Sequence, residues 1–279
     1  MFQPVIKWSG SKRPIAQNIV DLFPREIDTY YEPFCGGASV MRCLLDNLKE
    51  NKNKVNNIIC SDLNDDLINL WNIIKTSPEV VFSHYNTLWY ELNKTEDKAV
   101  KRAYFEQIRD RLNKEHNPLD FIFILRTTTN GMPRYNGKGE FNNSFHITRN
   151  GIKPETFKKI VFEWSELLNQ YNVGFKCCSF DTVAPNSNDF VFADPPYANT
   201  KGMYYGGFEN NNLFGWLKEL KCKWVMTYDG KSGDIDNTYN VPEEIYKEHI
   251  YLKSGNSSFK RTIGKSNDSI VYESLYKNY

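Results

Sequence analysis

Apolar and polar positions follow two rhythms along this chain. Near both ends, short apolar runs of strand length alternate with helical spacing, whereas the middle keeps a helical period. Ile15, Ile19, Val20 and Leu22 mark a first helix. Tyr30 and Tyr31 open a strand that runs into Pro33, Phe34, Cys35, Gly36 and Gly37. Val40, Met41, Leu44, Leu45 and Leu48 then recur at helical spacing, and Ile58 to Cys60 form an apolar strand ending in Ser61 and Asp62. This succession of strand, glycine turn, helix and strand has the length of a right-handed βαβ crossover and predicts a parallel sheet.

From residue 64 the spacing turns helical. Leu67, Leu70, Trp71 and Ile74 form one face, Val81, Tyr85, Leu88 and Leu92 a second, and Ala103, Tyr104, Ile108 and Leu112 a third. Phe121 to Leu125 is apolar without a period. Thr127 to Gly151 is polar, with Asn130, Gly131, Pro133, Asn136, Gly137 and Gly139 as turn formers, and predicts a hairpin or an ordered loop. Helix resumes at Pro154 and runs through Phe157, Ile160, Val161, Trp164, Leu167 and Leu168. Strands return at Val173–Cys178, Phe190–Ala193, Trp224–Thr227, Ile245–Leu252 and Ile270–Tyr276. The expected architecture is an α/β domain made of residues 1–66 and 160–279, opened by a mostly helical insertion, residues 67–159.

Composition narrows the function classes. A chain of 279 residues, 40% hydrophobic and 25% charged, is globular in make-up, which sets aside disordered, collagen-like and coiled-coil readings. No apolar run reaches the ~18 residues of a membrane span. The opening MFQPVIKWSGSKR has no uninterrupted hydrophobic stretch after its charges, so no signal peptide is expected. Six cysteines, at 35, 43, 60, 177, 178 and 222, include no C-x-x-C pair, and no histidine stands at ligand spacing from them. The expectation is buried thiols in a reducing cytoplasm, with no metal. The net charge of +1, taken whole, argues against a basic nucleic-acid binder. By segment the picture reverses: residues 101–160 carry twelve Lys or Arg against six Asp or Glu, residues 1–13 three bases and no acid, and residues 247–265 five bases and one acid. A one-sided basic surface is the footprint expected for phosphate contacts.

The sharpest chemical signal is Asp194-Pro195-Pro196-Tyr197, directly after the apolar run Phe190–Ala193. Two prolines cannot extend a central strand, so the chain turns there, at the carboxyl end where open α/β sheets hold their ligands. An acid and an aromatic are thereby fixed over a pocket; alone, the tetrapeptide also reads as a turn with an acidic cap. Gly36 and Gly37 either allow close ligand approach to a helix N-terminus with free N–H groups or serve a tight turn that needs positive φ. Asp62 ends the second strand, where an acid can hold ribose hydroxyls or cap the helix that follows. Trp8 and Lys12, on residue type alone, read as a core aromatic and a solvated base.

These residues together resemble the S-adenosyl-L-methionine-dependent amino-methyltransferases with an [NSD]-P-P-[YFW] loop, and among them the Dam-like DNA adenine methyltransferases. Lys7-Trp8-Ser9-Gly10-Ser11-Lys12 is similar to the family's K-W-x-G-G-K element, departing at Ser11. Tyr31-Glu32-Pro33-Phe34-Cys35-Gly36-Gly37 resembles the E-P-F-x-G-G cofactor loop, and Ser61-Asp62-Leu63-Asn64 the N-D-x-N segment. Asn130-Gly131-Met132-Pro133-Arg134-Tyr135-Asn136, followed by Gly139-Glu140-Phe141-Asn142, resembles N-G-L-x-R-x-N and G-x-F-N. The motifs occur in the family's order across nearly the whole chain.

The resemblance implies a Rossmann-like fold with a target-recognition insertion, and an adenine-specific enzyme acting on double-stranded DNA as a monomer. It assigns Trp8, Gly10, Lys12, Glu32, Phe34, Gly36, Gly37, Asp62, Phe180, Asp181 and Asp194 to the cofactor, S-adenosyl-L-methionine, with Lys12 near its carboxylate. Asp194, Pro195, Pro196 and Tyr197 form the catalytic loop. The Asp194 carboxylate and Pro195 carbonyl would hold the adenine 6-amino group, and Tyr197 would stack on a base swung out of the duplex. Lys7, Asn130, Met132, Arg134 and Asn136 are implied DNA contacts, Arg134 as a bidentate reader of guanine. Independently of the resemblance, Lys260, Arg261 and Lys265 read either as phosphate contacts on a Gly/Ser-rich loop or as bases of a solvated loop. Thr129, and Asn142 to His146, depart from the family pattern and leave the site open, GATC being one short sequence the resemblance offers. The alternatives are an N-methyltransferase acting on cytosine or another nucleic acid, and a DNA-binding relative without catalysis.

Overall fold

The computed structural model describes residues 2–148, 150–197, 209–256 and 270–279. Its described residues form two compact units, one containing 11–61, 178–197, 209–256 and 270–279, the other 2–10, 62–148 and 150–177.

The first unit begins with a short helix α1 (Ala16–Val20), followed by β1 (Glu26–Glu32), α2 (Ser39–Lys49) and β2 (Lys54–Asp62). The predicted βαβ crossover is present, and β1 and β2 pair in parallel, Tyr30 opposite Ile58 and Glu32 opposite Cys60. The first helix is shorter than its apolar spacing suggests, and Leu22 lies beyond its end.

The second unit is built from α3 (Asp65–Thr76), α4 (Pro78–Leu92), α5 (Lys98–Glu115), α6 (Pro118–Thr127) and α7 (Pro154–Gln170), closed by a four-residue strand β3 (Gly174–Cys177). Helix α6 is the stretch that showed no period. Phe121, Ile122, Phe123, Ile124 and Leu125 are all fully buried, and a helix covered on every side has no polar stripe to give it one. Trp71 of α3 lies 5.2 Å from Trp164 of α7 and stacks on Phe175 of β3 at 5.3 Å. The Trp164 indole N–H donates to the Gln3 carbonyl at 2.8 Å. These contacts group residues 2–10 and 160–177 with the helices.

The chain re-enters the first unit with β4 (Phe190–Ala193), α8 (Asn210–Glu219), β5 (Lys223–Ser232), a two-residue β6 (Ile235–Asp236), β7 (Glu248–Asn256) and β8 (Ile270–Lys277). Ile245, expected to open β7, instead closes a 3-10 turn, Glu243–Ile245. Strand order is β2-β1-β4-β5-β8-β7, with β6 on β5. Strands β2, β1, β4 and β5 are parallel, and β8 runs antiparallel to both β5 and β7. All four residues of β4 are buried, as expected for a central parallel strand covered on both faces. Because β1 has β2 on one side and β4 on the other, chain order reverses there. The loops after β1 and β4 therefore leave neighbouring strands at a topological switch point, the place where such sheets bind ligands.

Candidate active site

Glu32 is the last residue of β1 and is buried. The Tyr30 hydroxyl donates to its Oε2 at 2.6 Å, and the Met41 backbone N–H, in the first turn of α2, donates to the same carboxyl group. The position before α2, Ala38, has no capping side chain and adopts the left-handed conformation with φ of 49°. Glu32 thus serves as a cap supplied from the preceding strand. Burial pushes its carboxyl up to about 8; the Tyr30 and Met41 hydrogen bonds oppose this, and the Asp194 charge adds to it. Gly36 has φ of 44°, and the Cys35 N–H donates to Ser61 O at 2.9 Å, tying the loop to β2. The half-buried Phe34 ring packs 5.2 Å from Phe180, which meets Trp216 edge-on at 5.4 Å. Phe180 and Asp181 lie in a 3-10 turn, Phe180 buried and Asp181 exposed.

The loop after β4 carries Asp194, Pro195, Pro196 and Tyr197. Lys12, only 6% exposed, places its Nζ 2.9 Å from Asp194 Oδ1, and the Thr227 hydroxyl donates to the same oxygen at 2.7 Å. Both of these partners meet Oδ1. Burial raises the Asp194 carboxyl above its ordinary value, while Lys12 and Thr227 act against that rise. The Lys12 ammonium also stands 4.8 Å over the Tyr197 ring. Tyr197 is anchored at its far end, its hydroxyl donating to Glu273 Oε2 at 2.5 Å, and its ring meets Tyr228 edge-on at 5.6 Å.

Two residues of this arrangement, Thr227 and Glu273, were not found from motifs. Thr227 follows Met226, which pairs with Ala193, so the sequence signal was its place at the end of a strand beside β4; Glu273 on β8 gave none. Lys12, which the resemblance puts near the cofactor carboxylate, has Asp194 as a partner, as a buried ammonium needs a counter-charge.

In the helical unit, Trp8 is half-buried and Gly10 has φ of 75°. The Ser9 N–H donates to Gly131 O at 3.1 Å. Gly131 has φ of 62°, and a Cβ there would lie 2.5 Å from Lys7 Cγ, so only glycine lets Lys7 pack against this loop. The predicted hairpin is an irregular one. Thr128 bridges to Phe145 and Tyr135 to Phe141, with Asn142 N–H on Arg134 O at 2.9 Å. Asn130 lies in a 3-10 turn, Met132 is half-buried, and Arg134 is exposed.

Asn136 is committed to its own turn: its Oδ1 accepts from the Lys138 and Glu140 N–H groups, and its Nδ2 donates to Glu140. Asp62 Oδ1 accepts the Asn64 N–H at 3.1 Å, and the cap of α3 is Asn64, whose Oδ1 accepts the Leu67 N–H at 3.0 Å. Capping therefore does not occupy Asp62. Lys260, Arg261 and Lys265 lie outside the described residues.

The basic excess of residues 101–160 is smaller at the surface than in the count. Arg126 is almost wholly enclosed and donates from Nε to Val5 O at 3.0 Å, its guanidinium brought down to about 10 by burial. Lys101 is 2% exposed. Arg111 grips the buried Asp120 with two hydrogen bonds of 2.6 Å. Among the described residues, no group of His, Cys, Asp or Glu could hold a metal ion, and no helix is long and apolar enough to cross a membrane.

The donors at hand fit a nucleoside cofactor with an amino-acid tail. The sheet unit offers the glycine loop before α2, with Gly36 at positive φ, and the half-buried Phe34 ring. The helical unit, taken by itself, has Ser9 Oγ buried with no hydrogen-bond partner among the described residues, beside Trp8 and Gly10 in sequence.

A family model described as D12 class N6 adenine-specific DNA methyltransferase matches residues 8–257. The chain is 32% identical over 297 residues to the type II methyltransferase M.MjaIII of Methanocaldococcus jannaschii, covering 99% of each. It is 29% identical over 294 residues to the type II methyltransferase M.FokI of Planomicrobium okeanokoites, covering 98% of this chain and 43% of that relative. A DNA adenine methylase of Haemophilus influenzae is 27% identical over 202 residues, with 70% and 64% covered. The chain thus spans less than half the length of one of these relatives and nearly all of another.

Proposed function

The chain belongs to the D12 class N6 adenine-specific DNA methyltransferases, and from that premise we propose that it methylates the 6-amino group of adenine in a short site of double-stranded DNA, as a monomer, with S-adenosyl-L-methionine as methyl donor. The observation that carries this reading is the Asp194 carboxylate, oriented through Oδ1 by Lys12 and Thr227 beside an anchored Tyr197 ring.

When bound, the cofactor supplies an electrophilic methyl group. Everything else falls to the chain. The adenine amino group is a poor nucleophile because its lone pair is delocalised into the ring. Hydrogen bonds from its two N–H groups to the Asp194 carboxylate and the Pro195 carbonyl favour a pyramidal nitrogen and stabilise the positive charge that develops on it. Lys12 and Thr227 hold the carboxylate in one orientation, so no reorganisation is needed as that charge appears. Tyr197, fixed by Glu273, offers a ring face to a base turned out of the stack. Gly36, Gly37, Glu32, Phe34, Phe180 and Asp181 in the sheet unit, and Trp8, Gly10 and Asp62 in the helical unit, are assigned to the cofactor. Arg134 is the base reader, and Lys7, Asn130 and Met132 support its loop.

The test is incubation with methyl-labelled S-adenosyl-L-methionine and unmodified duplex DNA, followed by digestion to nucleosides. Label in N6-methyl-2′-deoxyadenosine is expected; label on deoxycytidine, or none on any nucleoside, would overturn the reading.

A further inference from the structure

We propose that Asn64 is a positioning residue that couples cofactor binding at Asp62 to the order of the DNA-reading loop. The inference rests on the reading of Asp62 as a cofactor contact. Asn64 is 4% exposed, and three of its hydrogen bonds form the link. Its backbone N–H donates to Asp62 Oδ1 at 3.1 Å, its Oδ1 accepts from Leu67 N–H at 3.0 Å, and its Nδ2 donates to the Tyr135 hydroxyl at 2.6 Å. One buried amide thus ties the turn that presents Asp62 to the residue that follows Arg134.

On the loop side, Tyr135 bridges to Phe141 and meets its ring edge-on at 5.8 Å. Phe141 is held by Asn113 of α5, which accepts its N–H at 2.7 Å and donates to its carbonyl at 3.0 Å. The stretch carrying the exposed Arg134 therefore has one fixture on α5 and another on the turn at Asp62. A ligand that engages the Asp62 carboxylate restricts the turn that Asn64 closes, and the restriction reaches Tyr135 through a bond too short and too buried to be exchanged for water freely. Linkage makes the effect reciprocal: whatever the loop gains in order when the cofactor binds, cofactor affinity gains when the loop is ordered.

The experiment uses the full chain and S-adenosylhomocysteine, which occupies the cofactor site without chemistry. Amide hydrogen exchange in residues 134–142 is measured with and without this probe, and its affinity by calorimetry, for the wild type, Tyr135→Phe and Asn64→Ser. Tyr135→Phe keeps the ring and loses only the hydroxyl; Asn64→Ser keeps a helix cap and loses the reach to Tyr135. In the wild type the probe should slow exchange in the loop at least ~3-fold. In both variants that slowing should vanish, with probe affinity reduced by about 3- to 10-fold, the worth of one hydrogen bond. A simple loss of structure would raise exchange with and without probe alike, and would leave the ratio unchanged. Equal slowing in all three proteins, or binding by the wild type with no slowing, overturns the coupling alone. Failure of the wild type to bind the probe overturns the cofactor reading itself, and the coupling with it.

Discussion

The sheet unit and the helical unit fix their key side chains by opposite means. Asp194 is held by buried charge: an ammonium at 2.9 Å and a hydroxyl at 2.7 Å meet one carboxylate oxygen, with Glu32 raised nearby by its own burial. Arg134 is exposed, and its backbone is held. Side-chain amides do this where strand pairing is sparse: Asn113 on Phe141, Asn143 on the carbonyls of Thr129 and Met132, and Asn64 on Tyr135. The difference suits the tasks proposed for the two residues. Charge stabilisation in a transition state requires donors and acceptors that are prearranged and shielded from water, whereas a base reader must reach into a groove and needs only its root positioned.

The comparison breaks most visibly at Asp194. Asp194→Ala should lower methyl transfer at least ~10³-fold, as removal of a preorganised transition-state contact does, while S-adenosyl-L-methionine affinity measured by calorimetry changes little. Undiminished turnover would mean that the reactive carboxylate lies elsewhere.

A smaller effect should appear in pH dependence of stability. The Glu32 carboxyl titrates at about 8 in the folded chain against an ordinary value of 4.5. Between those limits the folded state holds a proton that the unfolded chain has released, so stability falls as pH rises through the window. At about 1.4 kcal/mol per tenfold difference in proton affinity, the fall is at most about 5 kcal/mol. Glu32→Gln keeps an acceptor for Tyr30 and Met41 and removes the titration. Urea unfolding at pH 5 and pH 8 should show a large loss for the wild type and a much smaller one for the variant; equal losses would show that Glu32 is ionised throughout.

Legibility in the sequence did not follow that divide. The βαβ crossover and the end of β4 could be read because a fully buried parallel strand is a continuous apolar run, and Pro195 and Pro196 mark where it must stop. Helix α6 was not recognised as one, because burial on all sides erases the period. Thr227 and Glu273 were invisible because their contacts join strands remote in sequence, and Lys12 was visible only as a base, without its partner. Asn136 stood in a recognisable motif, but nothing in the motif says that its amide closes its own turn. Charge counting saw Arg126, Lys101 and Arg111 as surface bases, since it carries no information on burial.

The account stands or falls on whether chemistry and sequence reading are separable between the two units, and Arg134→Ala tests this most directly. The measurement is a map of N6-methyladenine across a plasmid methylated by the wild type and by the variant. Loss of one bidentate base contact removes about 1–3 kcal/mol of discrimination. Methylation by the variant should therefore persist and spread to sequences that differ at a single position from the wild-type site. Methylation that falls equally at every sequence, or stays confined to the wild-type site, would contradict the assignment of reading to Arg134.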